Sequence, residues 1–193
     1  MSQKTCDCGA GRFDRRSALA TMGAGFATAF GAAPAQASAK PSPLRPEDEG
    51  YMRLALAEAA KGDFPFGAVI VREDKVVSTG RNMGVANNDP TAHGEMVAIR
   101  RFVADNPAKE LKGATLYTSG EPCPMCMGAI VWCGIGRVVF AASIAQLSKR
   151  ISQIMITSMA VAKAAPFADI EITGGLLAPE ALALFDKKSI HSE

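Results

Sequence analysis

The chain has 193 residues and a formal net charge of +2, and its first 37 residues read as a leader holding four basic and two acidic side chains, so that the 156 residues left carry no net charge. A neutral chain does not advertise the clustered basic surface that a phosphate backbone demands, so a nucleic-acid partner is not indicated. Beyond the leader only Cys123, Cys126 and Cys133 remain, an odd number that excludes a disulfide framework, and the length suits one domain.

In chain order, the leader places Arg15-Arg16 before a weakly apolar run over residues 17–33, followed by Ala35-Gln36-Ala37 as a small-residue cleavage site. Twin arginines before a short apolar run resemble a bacterial twin-arginine export signal, which implies an exported, periplasmic protein. The competing reading is an N-terminal extension with no export role. The run is too short for a comfortable membrane span, and nothing later approaches one. Pro41, Pro43 and Pro46 mark residues 38–46 as a linker, and residues 47–193 form the domain. The apolar spacing of Tyr51, Leu54, Ala55 and Leu56 predicts a helix over 47–61. Strands follow at 66–71 and 76–79 around a turn at Glu73-Asp74-Lys75, then a polar loop over 81–90. Asp89-Pro90-Thr91 signals a helix start, with the helix over 93–104. A strand is expected at 114–118. Ser119-Gly120-Glu121 is then a turn into a helix that ends near Gly134. Further strands are expected at 137–142 and, more weakly, at 170–173. Residues 144–165 are helical in pieces, and the last helix covers 179–187. Strands alternating with helices imply an α/β layer fold. The pairs Arg100-Arg101, Lys149-Arg150 and Lys187-Lys188 read as solvated faces.

Two short runs carry chemistry: His93-Gly94-Glu95, and Pro122-Cys123-Pro124-Met125-Cys126. Cys123 and Cys126 are three apart, so on a helix they share a face and can reach one metal ion. Pro122 and Pro124 suit a helix start, where a missing backbone donor costs little, and a helix N-terminus favours the thiolate. His93 and the two cysteines make three protein ligands, and a zinc ion with three keeps its fourth position for water. Glu95 is the spare group, two residues from His93 and off its helical face, placed to move protons and not to bind metal. Other readings exist for the same residues. A redox pair would sit after the first strand of a thioredoxin-like fold, which this position does not match. A closed structural zinc site needs a fourth ligand. Cys133 is on the right face for that, although such a cysteine is more often a small buried hydrophobe. The only other histidine is His191, near the chain end.

An H-x-E run followed by P-C-x-x-C resembles the zinc-dependent cytidine and deoxycytidylate deaminase superfamily. Its look is closest to guanine deaminase and tRNA adenosine deaminase members, and the resemblance covers residues 64–142. It implies a three-layer α/β/α fold with a mixed five-stranded sheet, Zn2+ held by the starts of two adjacent helices, Glu95 as proton carrier, and a homodimer. Pro65-Phe66-Gly67-Ala68-Val69-Ile70-Val71 is similar to the opening strand of purine-acting members. Asn88-Asp89-Pro90-Thr91-Ala92-His93 is similar to both guanine and tRNA adenosine deaminases. Asn82 stands where such enzymes place an amide that hydrogen-bonds the base, and an amide suits a purine edge because it both donates and accepts. Its plainer reading is a turn residue. Trp132 looks like guanine deaminases, with core packing as the alternative. Phe66 is placed to stack on a base, although a strand phenylalanine is more often core.

Two departures stand out. Gly94 replaces the usual alanine, which loosens a helix start by about 1 kcal/mol at most. No acidic residue occurs between Ser143 and Ala168, where guanine-deaminating relatives carry acidic groups, and this weighs against guanine itself. The expected function is hydrolytic, zinc-dependent deamination of a free small-molecule base or nucleoside, with purine-type substrates leading. The alternatives are tRNA adenosine deamination and an exported zinc-binding module without catalysis.

Overall fold

The computed structural model describes residues 38–187; the leader expected over 1–37 and His191 lie outside the described residues. The elements run β1 (Ala39–Pro41), α1 (Asp48–Ala59), β2 (Gly67–Arg72), β3 (Lys75–Arg81), α2 (Gly94–Asp105), a 3-10 turn (Ala108–Leu111), β4 (Thr115–Gly120), α3 (Pro124–Trp132), β5 (Arg137–Ala142), α4 (Ile144–Leu147), α5 (Ser158–Lys163), β6 (Ile170–Gly174) and α6 (Ala178–Lys187). They build one mixed sheet in the order β1-β6-β5-β4-β2-β3. Strands β1, β6, β5 and β4 are parallel neighbours, while β2 runs antiparallel to both β4 and β3.

The sheet has two covered faces because its strands send apolar side chains both ways. Ala68 and Ile70 of β2, Leu116 of β4 and Val138 of β5 pack with Ala98, Phe102, Met127 and Ile130 from α2 and α3. The alternate residues Val69, Val71, Tyr117 and Val139 pack with Met52, Ala55, Ala181 and Phe185 from α1 and α6. This is the expected α/β/α layering. Among the described residues no helix is long and apolar enough to cross a membrane.

Three local expectations change. The sheet has six strands and not five, because the stretch expected as linker over 38–46 contributes β1, paired in parallel with β6 from Ala39↔Ile170 to Pro41↔Ile172. Three residues show no readable period, and an edge position tolerates the proline that argues against a central strand. Next, β4 runs on through Ser119 and Gly120, which were expected to turn. Ser119 is fully buried because its hydroxyl accepts from the Gly67 N–H at 3.0 Å and donates to the Pro65 carbonyl at 3.1 Å. Finally, the β2–β3 hairpin turns on Glu73 and Asp74 alone, at φ 50° and 57°, which is the left-handed twist of a two-residue primed turn.

A buried ion pair sits where β5 begins. Arg137 clamps Asp48 bidentately, Nη1 to Oδ1 at 2.6 Å and Nη2 to Oδ2 at 2.7 Å. The Tyr117 hydroxyl donates to Oδ1 at 2.8 Å and the Arg45 N–H to Oδ2 at 2.7 Å. Desolvation pushes the Asp48 carboxyl up, but the bonds from Arg137, Arg45 and Tyr117 outweigh it and hold it below the ordinary range. The pair fixes the start of α1 against the sheet.

Candidate active site

The starts of α2 and α3 bring the two sequence runs together. His93 caps α2 with extended backbone (ψ 158°), and Cys123 caps α3 in the same way (ψ 166°). Pro124 takes the first helical position, where its missing N–H is no loss. Cys126 follows one turn later on the same face. An Asp89 turn aims His93: the Thr91 N–H and hydroxyl both donate to Asp89 Oδ1, at 2.8 and 2.6 Å, and Arg100 Nη1 donates to Oδ2 at 3.1 Å.

His93 Nδ1 lies 3.7 Å from Cys123 Sγ and 3.6 Å from Cys126 Sγ, and the three donor atoms all fall within 4.8 Å of one another. Zinc bonds of about 2.3 Å to sulfur and about 2.0 Å to nitrogen, set at tetrahedral angles, give N···S edges of roughly 3.6 Å. The spacing and the donor chemistry therefore fit zinc. Cys133 caps the far end of α3, about 10 Å along the axis from Cys126 at helical rise. It is half-buried against the core and is not among the clustered donors.

The protons of this cluster are unevenly shared. The bond from the Cys126 thiol pulls Cys123 down to about 4 against the pull of burial, with His93 helping. The same bond and burial push Cys126 well up. His93 is raised, first by its bond to Cys123, with burial opposing. The charge of the thiol pair thus settles on Cys123, and a metal bound here would displace the Cys126 proton.

Glu95, the second residue of α2, is 3% exposed and accepts one bond from Thr118 Oγ1 at 3.2 Å. Burial drives its carboxyl upward, with its own backbone N–H and His93 opposing. Gly94 is explained by close approach: an added Cβ would sit 3.0 Å from the Phe66 carbonyl oxygen and 3.1 Å from Gly67 Cα. Glycine lets the helix start press onto the turn that carries Phe66.

These groups line a cavity of about 660 Å³. On one wall the Phe66 ring lies nearly parallel to His93, at 5° with centroids 6.4 Å apart, and Phe185 packs steeply inclined to it at 76° and 5.1 Å. Asn82 is 5% exposed, and its backbone N–H donates to the Phe66 carbonyl at 2.8 Å. Its Oδ1 accepts from the Gly84 N–H at 3.2 Å. Ile151, Ser152, Gln153 and Ile154 form a further wall, and Glu121 lies beside it. Sequence reasoning missed that wall and took Glu121 for a turn residue; its place directly before Pro122-Cys123 was the available signal. Trp132 stands apart from these groups. It lines no part of this cavity and is not core: it is 80% exposed and rests on Phe167 at 5.0 Å. As the last residue of α3 it stands about 13 Å along the helix from the Cys123 cap.

The model of the cytidine and deoxycytidylate deaminase zinc-binding region matches residues 45–142, half of the chain. The chain belongs to this deaminase family. Guanine deaminase of Bacillus subtilis is 42% identical over 99 residues, a match spanning 49% of this chain and 64% of that relative, a little under two thirds. A tRNA-specific adenosine deaminase of Buchnera aphidicola is 39% identical over 106 residues, spanning 53% of this chain and 70% of the relative. In three dimensions the chain is similar to guanine deaminase from Nitrosomonas europaea, with a TM-score of 0.63 and 27% identity over 76% of this chain and 86% of that one. Membership in this family makes zinc the metal that the three-donor cluster suits.

Proposed function

We propose that the protein is a zinc-dependent hydrolytic deaminase of a free nucleobase or nucleoside, purine-type, that releases ammonia. The observation that carries this is the buried Glu95 carboxylate standing beside a three-donor metal cluster without belonging to it, at the floor of a cavity. A purely structural metal site has no use for such a group. Zinc held by His93, Cys123 and Cys126 supplies a Lewis acid that makes water nucleophilic near neutral pH.

The chain's own residues supply the rest. Glu95 carries one proton from the attacking water to the ring nitrogen, then the remaining hydroxyl proton to the amino group, which leaves as ammonia. Burial raises its carboxyl towards the range where one group can both accept and donate. Water adds to the amino-bearing carbon, the C–N bond breaks, and a carbonyl remains. The parallel Phe66 and His93 rings stand just short of the ~7 Å that a flat ring stacked between them needs. Asn82 is steadied by the Gly84 N–H on its oxygen, which leaves its amide nitrogen as a donor for an acceptor on the base. Among the described residues lining the cavity there is no lysine or arginine, which favours a neutral ligand over a nucleotide.

The test is ammonia release from a panel of free bases, nucleosides and nucleotides by the zinc-loaded protein, with inosine formation in tRNA as a second arm. Turnover of a base or nucleoside is expected. Activity on tRNA alone, which the similarity to the Buchnera aphidicola relative makes the competing reading, would overturn the substrate class. We also propose that residues 1–37 direct twin-arginine export. Replacing Arg15 and Arg16 by lysine should trap an unprocessed precursor in the cytoplasm, and normal processing of that variant would dispose of the idea.

A further inference from the structure

One cavity residue is unused by the chemistry above. Glu121 ends the run from β4 into the cysteine cap, two residues before Cys123, and is 7% exposed. Its backbone N–H donates to the Ala142 carbonyl at the end of β5, at 2.7 Å. Both carboxylate oxygens are taken. Oε2 accepts from the Ile144 N–H at 2.9 Å. Oε1 accepts from the Ser158 N–H and from the Ser158 hydroxyl, each at 2.9 Å. Ile144 opens α4 and Ser158 opens α5, so each N–H belongs to a helix start that has no carbonyl partner of its own.

The consequence lies between those two points. Residues 148–157 have no helix or strand, yet four of them, 151–154, form a wall of the cavity. One buried carboxylate holds the chain at both ends of this irregular span, and the same residue is nearly contiguous with the metal donor Cys123. Together with the Arg150–Asp186 ion pair and the packing of Ile151, this side chain places the far wall relative to the metal cluster, by charge-assisted bonds that are stronger than neutral ones.

Resting on the deaminase reading, we infer that Glu121 is a positioning residue for substrate selection: it tethers the 144–158 segment and so fixes the wall at 151–154 against the base. It acts through that wall, its two oxygens being held by the starts of α4 and α5.

The experiment uses the full zinc-loaded chain carrying Glu121→Gln. An amide keeps the shape but offers an acceptor on one side only, so it cannot serve both ends. Hydrogen exchange should quicken by about 10-fold or more at Ile144, Ser158 and residues 151–154, while α3 exchanges as before. On the best substrate of the panel, KM should rise about 10-fold with kcat within about threefold, and discrimination between the best and second-best base should shrink by a similar factor. Unchanged exchange over 151–154, or a kcat loss common to all substrates at constant KM, would overturn the inference. Should Glu121→Gln fail to fold, Ser158→Ala carries the test. It removes one donor and keeps the backbone bonds, and should raise KM about two- to threefold at full zinc content; an unchanged KM sinks the tether. A wild-type protein inactive on every substrate would refute the deaminase reading alone, with the exchange measurement still deciding what Glu121 holds.

Discussion

Among the described residues, the buried clusters around Asp48 and Glu95 are built on opposite terms. Around Asp48, each oxygen has two short partners: Arg137 and Tyr117 on Oδ1, Arg137 and Arg45 on Oδ2. Around Glu95, the carboxylate takes a longer bond of 3.2 Å from Thr118 and one from its own backbone N–H, beside three donor atoms that lie within 4.8 Å of one another. The first carboxyl is held below its ordinary range and the second is pushed above it. A buried charge with every partner supplied has nothing left to offer a ligand and holds the fold. A buried charge with spare capacity costs stability, and it is the one to examine for chemistry.

Substitutions can break that contrast. The largest effect is expected from Cys126→Ala, which takes away a donor in the fully buried arm of the cluster and should strip most of the zinc. Elemental analysis showing full occupancy would mean that the ligand set is wrong. Next comes Glu95→Gln, which keeps shape but cannot take the proton. It should keep its zinc and lose about 10²–10⁴-fold in kcat with KM little changed. Loss of zinc instead would make Glu95 a ligand and undo the division between the two clusters.

The Asp48 side predicts stability changes with chemistry spared. Asp48→Ala leaves the buried Arg137 with Glu171, at 3.9 Å, as its remaining carboxylate among the described residues and should cost about 3 kcal/mol in denaturant unfolding. The folded fraction should bind zinc normally. Because the folded Asp48 is depressed below 3.8, its contribution is complete above that value and fades as pH falls through the lower folded one. The stability gap between the native chain and Asp48→Asn should therefore narrow in acid. A gap that stays constant from neutral pH to well below 3.8 would separate Asp48 from its pairing role. The smallest effect sharpens the boundary of the site: Trp132→Ala should leave kcat/KM within about twofold, and a tenfold loss would bring that exposed ring back into substrate binding.

Much of this was legible in the chain because it is local. A proline beside a cysteine states a helix start, a three-residue gap puts Cys123 and Cys126 on one face, and alternating strands and helices state the layers. These depend on neighbours within a turn or two, which sequence displays directly. The site's location followed from motif resemblance, and the expected helices and strands over 47–187 fall within a few residues of those observed. Three expectations fell short where long-range contacts decide. Residues 39–41 became a strand only because the β6 edge was there to pair with. Ser119 and Gly120 stayed in β4 because Gly67 and Pro65, more than fifty residues earlier in the chain, satisfy the buried hydroxyl. Trp132 is not core because at the end of α3 it stays 80% exposed and rests on Phe167.

Residue types and short spacings by themselves determined which groups can hold metal and which can carry a proton, since those are properties of side chains and of a helical turn. Tertiary structure alone decided how those groups are surrounded: that Asp48 is saturated, that Glu95 is not, and that Glu121 binds two points 23 and 37 residues away. Burial and hydrogen-bond supply arise from chain segments distant in sequence, and it is burial and supply that separate a carboxylate that braces a fold from one that is free to react.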